Sequence, residues 1–214
     1  MSLFSAREEA GNILGEKLSV FKTHFTNPIV LGIPRGGLSI GYCISKVLKA
    51  PLDAIVLRKL PIPDNPEAGF GAVTVDKTVI FNEAMLAQLN LEQAQINKII
   101  DTVYKEVLRR NKMYCRDRPF PSLIGRSVVV ADDGLATGFT VLAAVRFIRK
   151  NKPREIIVAV PVAHREAYNL VKREADRVVV LHISDLSYFA VASFYDEFSE
   201  MSDEEARNFL TPNA

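Results

Sequence analysis

Residues 128–140 read Val-Val-Val-Ala-Asp-Asp-Gly-Leu-Ala-Thr-Gly-Phe-Thr. An apolar run delivers two adjacent carboxylates, Asp132 and Asp133. A short loop with Gly134, Gly138 and the hydroxyls of Thr137 and Thr140 then opens into a helical pattern. Backbone N–H groups at a helix start, reinforced by the helix dipole, form an anion site, and glycines let the main chain approach the anion closely. Carboxylates beside such a cradle are poor partners for the anion. They are good acceptors for the vicinal hydroxyls of a sugar, so the string has the makings of a sugar-phosphate site. A helix cap beside a solvated acidic pair is the plainer alternative, but it does not require this order of residue types.

Other stretches of possible chemistry are more weakly marked. Pro28–Ile33 (PIVLGI) ends in Pro34-Arg35-Gly36-Gly37, a strand followed by a glycine turn. Leu52–Leu57 (LDAIVL) ends at Arg58-Lys59. Pro61–Gly71 (PIPDNPEAGFG) has the composition of a long loop. His24, His164 and His182 have no metal-ligand spacing, and Cys43 and Cys115 form no CxxC pair, so reduced, partly buried thiols are expected. Lys105, Arg109, Arg110 and Lys112 read as a solvated helix face.

The elements that must position these residues follow from apolar periodicity. Helical spacing covers 6–20, 38–48, 82–89, 91–116, 139–150 and 166–172, and short buried strands are expected at 28–33, 52–57, 127–131, 156–160 and 178–181. A hairpin is expected about Asp76-Lys77, between 72–75 and 78–81. Alternating strands and helices imply an α/β, doubly wound, mostly parallel sheet that takes ligands at the strands' carboxyl ends. A single domain over 1–214 is expected, with a small hood from the N-terminal helix and the C-terminal tail. With 27 basic and 25 acidic residues the net charge is +2, which gives no argument for nucleic acid. No secretory signal or spanning apolar run is visible, so a cytoplasmic protein without a membrane partner is expected.

The string 128–140 resembles the thirteen-residue signature of type I phosphoribosyltransferases: hydrophobic residues, two acids, then a run ending in Thr-Gly-x-Thr. The resemblance implies that Asp132 and Asp133 hydrogen-bond the ribose 2′- and 3′-hydroxyls. It also implies that Gly134 and the loop of Leu135, Ala136, Thr137, Gly138, Phe139 and Thr140 hold the 5′-phosphate. Phe139 stands where glycine is often found. The turn Pro34-Arg35-Gly36-Gly37 matches the family's pyrophosphate loop, often built on a non-proline cis peptide. By the same resemblance Arg58 and Lys59 close a strand onto the diphosphate, Pro61–Gly71 corresponds to a mobile lid, and Phe194 or Tyr195 stacks the acceptor base.

A narrower resemblance covers most of the chain. It is to bacterial and archaeal phosphoribosyltransferases with an Arg-Lys-Leu strand end, here Arg58-Lys59-Leu60, and an Asn-Pro-Glu loop, here Asn65-Pro66-Glu67.

The implied reaction moves a 5-phosphoribosyl group from phosphoribosyl diphosphate to a nitrogen acceptor, with Mg²⁺ on the diphosphate and, through water, on Asp132 and Asp133. In catalysis the two aspartates orient the sugar while Arg35 and Lys59 stabilise the leaving group. Ala136 replaces the aspartate that oxopurine enzymes carry before Thr-Gly, a pattern closer to adenine or orotate enzymes. Two other readings stand beside this one. The first is a non-catalytic regulator that senses the activated sugar or a nucleotide. The second is a Rossmann-type oxidoreductase or another phosphosugar enzyme, which the lack of a GxGxxG in the first βαβ unit weakens. A homodimer is an expectation from the fold.

Overall fold

The apolar runs 29–32, 127–131 and 155–164 become adjacent parallel strands buried on both faces, which is why they read as nearly continuous β-branched sequence. The computed structural model describes residues 2–63, 65–116 and 118–210. Among these, the helices are α1 (Arg7–Ser19), α2 (Gly36–Leu48), α3 (Glu83–Leu86), α4 (Gln93–Cys115), α5 (Phe139–Lys150), α6 (Arg165–Lys172) and α7 (Asp203–Asn208). The strands are β1 (Ile29–Gly32), β2 (Leu52–Ala54), β3 (Leu57–Ile62), β4 (Asn65–Thr74), β5 (Val79–Phe81), β6 (Ser127–Ala131), β7 (Glu155–His164) and β8 (Arg177–Ser184).

The central sheet has the order β2-β1-β6-β7-β8, all parallel. Side-chain alternation splits its core in two. Ile29, Leu31, Val128, Val130, Ile156 and Val158 point to a layer closed by Val141, Ala144 and Ile148 of α5 and by Ala167 and Val171 of α6. Val30, Val129, Ala131, Ile157 and Ala159 point to the opposite layer, closed by Ala10, Leu14 and Leu18 of α1 and Ile40, Ile44 and Leu48 of α2. Such a strand order reverses direction between β1 and β6, and ligands of open α/β sheets bind at the carboxyl ends beside that reversal. Gly32 is in register with Ala131 there, so the loops after β1 and β6 leave the sheet side by side.

Two expectations are corrected in the middle of the chain. The run 52–57 is not one strand. It ends in the central sheet at Ala54, and Leu57 begins β3 in a separate antiparallel sheet of order β3-β4-β5. Ile55 packs into the α5-side layer whereas Val56 packs into a third cluster under α4, so one apolar run serves two cores. Arg58 and Lys59 therefore lie inside β3 rather than at the end of a strand of the central sheet.

The expected loop at Pro61–Gly71 is the arms of a hairpin. Leu60 pairs with Gly71, Pro61 with Gly69 and Ile62 with Asn65, with register shifts on both sides of Pro61. Proline cannot donate to a ladder and is tolerated where pairing is irregular, so its presence did not exclude a strand. The second hairpin forms as expected, with Lys77 left-handed in its turn.

The small sheet is backed by α4 through Leu60, Phe70 and Val73 against Ile96, Val103 and Val107. At the chain ends, Leu3 N and Phe4 N donate to Phe194 O, and Asp196 N donates to Phe4 O, which joins the N-terminal segment to the tail. No helix among the described residues is long and apolar enough to cross a membrane.

Candidate functional site

The loop after β6 adopts the form an anion cradle needs. Leu135 is buried, and its N–H donates to Val162 O while its carbonyl accepts from His164 N, which pins the turn to β7. Gly138 then takes φ +80°, where a side chain would be strained, and caps α5. Among the described residues, no backbone or side-chain acceptor of the chain takes the amides of Ala136, Thr137 or Gly138. These three residues line a cavity of ≈ 290 Å³ together with Asp132, Gly134, Thr140, Lys59, Gly69, Asn82 and Met85. Phe139 does not line this cavity. Its ring packs against the cluster of Ala72, Ile80, Leu142 and Ala143, so the residue that departs from the family's glycine serves the small sheet.

A second cavity of ≈ 440 Å³ meets the first at Asp132 and Thr140. Pro34, Arg35 and Gly36 line it, and the Pro34–Arg35 peptide is cis, as the family resemblance implied. Gly36 and Gly37 let this loop press against the end of β6. A Cβ on Gly37 would lie 2.4 Å from Ala131 O, and one on Gly36 would lie 1.9 Å from Asp133 Oδ2. Arg7, Arg58 and Arg110 complete the basic lining, with Phe198 to Met201 of the tail beside them.

The twin aspartates are not equivalent. Asp132 faces both cavities. Asp133 accepts from Arg7 Nε at 2.9 Å, its carbonyl accepts from Tyr195 Oη at 2.8 Å, and its N–H donates to Asp132 Oδ1 at 3.0 Å. Burial raises both carboxyls above the usual range. The charge of Asp133 raises Asp132 further, and Arg7 and Lys59 pull it back. Arg7 lies 3.8 Å above the Phe198 ring and donates to Ser199 O at 3.1 Å, so one guanidinium ties the first helix to the tail over the acidic pair. Arg7→Gln should cost roughly 1–3 kcal/mol of stability. In a thermal double-mutant cycle with Asp133→Asn, the two losses should add to more than the double variant shows.

The chain carries a phosphoribosyl transferase domain over residues 13–197. It belongs to the phosphoribosyl transferase family. Two Mycobacterium tuberculosis relatives of this family, one each from strains CDC 1551 / Oshkosh and H37Rv, bear the name "Putative phosphoribosyl transferase". Each is 35% identical over 210 residues, 98% of this chain and 47% of the relative. The chain thus spans about half the length of the curated relatives it matches. The crystal structure of TT1426 from Thermus thermophilus superposes with TM-score 0.79 at 33% identity, covering 98% of each chain. AQ2163 from Aquifex aeolicus, at 15% identity and TM-score 0.53 over 83% of this chain and 73% of its own, shares the fold.

Within this family's fold, most of the sequence-selected residues converge: Arg35, Arg58, Asp132, Asp133 and Thr140 line one cavity, and Lys59, Asp132 and the 134–138 loop line the other. Phe194 and Tyr195 do not join them. Phe194 packs on Phe189 and His182, and Tyr195 on Phe4 and Phe198, both 9% exposed or less. Among the described residues, the aromatic that lines the second cavity is Phe198. Arg7 and Arg110 also reach it, although the sequence marked Arg7 with no role and read Arg110 as part of a solvated helix face. The only sequence signal was the spacing of Glu106 and Arg110, which are ion-paired at i, i+4 on α4.

The donor set fits a hard cation brought in with its ligand. Asp132 supplies carboxylate oxygens to both cavities, while no group of three His, Cys, Asp or Glu among the described residues could hold an ion alone.

Proposed function

We propose that the chain transfers the 5-phosphoribosyl group of phosphoribosyl diphosphate to a nitrogen acceptor. The observation that carries this reading is the meeting of an amide-lined loop, an acidic pair and a basic loop at the β1/β6 ends of one cleft. The amides of 136–138 and the start of α5 receive the 5′-phosphate. Asp132 accepts from the ribose diol, with Asp133 held in place by Arg7. Arg35, Arg58 and Lys59 receive the diphosphate. The C1–oxygen bond to diphosphate breaks as a bond from the acceptor nitrogen to C1 forms, and the nitrogen's proton is released. Positive charge grows on the ribose and negative charge on the diphosphate, so the chain's contribution is positioning and stabilisation of the departing charge. Mg²⁺ bound with the diphosphate would neutralise that charge, and Asp132 would hold it through water.

Calorimetry with phosphoribosyl diphosphate and Mg²⁺ should give saturable one-to-one binding. A panel of nucleobases should then identify one that releases pyrophosphate. Absence of binding to both phosphoribosyl diphosphate and ribose 5-phosphate would overturn the reading. Tight binding with no release by any nitrogen acceptor would favour a sensor instead.

A further inference from the structure

The second cavity carries more positive charge than the residues assigned so far. Arg7 pairs with Asp133, which leaves Arg35, Arg58 and Arg110 on the lining, with Glu200 the remaining acid besides Asp132. Arg58 and Arg110 come from different elements, β3 and α4, and share one carboxylate oxygen. Glu106 Oε1 accepts from Arg58 Nη1 at 3.0 Å and from Arg110 Nε at 3.0 Å. The same carboxylate is gripped by Arg109, through Nε at 2.7 Å and Nη2 at 2.8 Å. Asp203 of α7 stands 3.8 Å from both Arg109 Nη2 and Arg110 Nη1, beyond hydrogen-bond distance. Three guanidiniums thus meet two carboxylates. Each arginine has five N–H donors, so Arg58 and Arg110 keep donors for a further partner.

Two like charges converging on one oxygen repel, and an anion seated between them relieves that cost. The forked guanidinium suits a phosphate group, which it can grip with two parallel N–H bonds. Arg110 is only 18% exposed, so its orientation is fixed before any ligand arrives.

We propose that Arg110 is an additional diphosphate-binding residue of this cleft, and that Glu106 is a positioning residue that aims Arg110 and Arg58 together. The inference rests on the reading of the cleft as a phosphoribosyl diphosphate site. It adds a contact from α4 that the motif strings do not include.

The test is calorimetric titration of pyrophosphate with Mg²⁺ and, separately, of ribose 5-phosphate. It uses the whole chain and the variants Arg110→Gln, Arg110→Lys, Glu106→Gln and Lys105→Gln. Arg110→Gln should weaken pyrophosphate roughly ten- to a hundredfold and leave ribose 5-phosphate within about twofold, because the sugar phosphate sits on the 134–140 loop. Arg110→Lys should restore part of the loss, since it returns the charge without the fork. Glu106→Gln should weaken pyrophosphate selectively while keeping every cation. Lys105 is exposed on the same helix, and its substitution removes one charge while moving neither ligand.

Pyrophosphate binding unchanged in Arg110→Gln overturns the inference. So does an equal loss of both ligands, or a loss matched by Lys105→Gln. Should Arg110→Gln fail to fold, Arg110→Lys and Glu106→Gln decide by the same selectivity. If the unaltered chain binds neither ligand, the reading of the cleft falls and this inference with it; if it binds both and Arg110 is indifferent, only the inference falls.

Discussion

Asp132→Asn combined with Asp133→Asn should weaken binding of phosphoribosyl diphosphate and ribose 5-phosphate by roughly a hundredfold or more, while the protein still folds. Hydrogen bonds to charged acceptors contribute about 1.5–3 kcal/mol each, and two would be lost or reduced. The fold should survive because Asp132 costs stability at neutral pH, which offsets the loss of the Arg7–Asp133 ion pair. Burial raises both carboxyls above their usual range, and the charge of Asp133 raises Asp132 further. A carboxyl with a raised folded-state pKa contributes stability below its ordinary pKa, and that contribution disappears as pH rises through the raised value. At pH 7 the charged form is the unfavourable one, and asparagine removes it. Asp132→Asn alone, which keeps the Arg7–Asp133 pair, should therefore melt at or above the parent temperature. In the parent, sugar-phosphate binding should strengthen as pH rises through the raised Asp132 value, and the asparagine variant should lose that dependence. Calorimetry across pH and thermal unfolding check both halves. A double variant that binds as tightly as the parent would show that the acidic pair does not hold the sugar. This is the trade of stability for function expected where charges are buried for a ligand.

Gly37→Ala should be the most damaging single-methyl change in the cleft. A Cβ there would stand 2.4 Å from Ala131 O and 3.0 Å from Asp132 Cα, both main-chain atoms that cannot rotate away. Relief requires moving the start of α2 away from the end of β6. Overpacking of this kind costs about 2–3 kcal/mol, a fall in melting temperature on the order of 5–10 °C for a domain of this size. The same movement separates the Pro34–Gly37 loop from Asp132, so pyrophosphate binding should fall along with stability. Gly125→Ala is the informative contrast. Gly125 has nothing within 4 Å of its would-be Cβ, but φ is +68°, so its loss is one of backbone strain alone and leaves ligand binding intact. Thermal unfolding and pyrophosphate titration of the two variants separate close approach from local conformation. Equal melting temperatures and equal affinities for Gly37→Ala and the parent would sink the claim.

The sequence alone determined the central sheet and the loop after β6 that lines the cleft. Both depend on local order: β-branched runs buried on two faces, and a fixed succession of acids, glycines and hydroxyls between a strand and a helix. The family followed from that string, and the resemblance it carries pointed to Arg35, Lys59, Asp132 and Asp133 as one site. What only the tertiary structure decided depends on contacts between residues far apart in the chain. Periodicity could not tell that the apolar run 52–57 is shared between two cores, Ile55 and Leu57 packing in one and Ala54 and Val56 in the other. Nor could composition tell a loop from a hairpin whose irregular pairing tolerates Pro61. Tail aromatics look alike as a string, yet burial decided among them: Phe194 and Tyr195 fill the core and Phe198 lies under Arg7. Arg7 and Arg110 look like solvent-facing charges on their helices, and only the docking of α1 on α2 and of α4 on the small sheet turns them to the cleft. The division has one physical cause. Secondary structure and loop chemistry are set by neighbours along the chain, whereas the partner of a charged or aromatic side chain is set by which surfaces fold against each other.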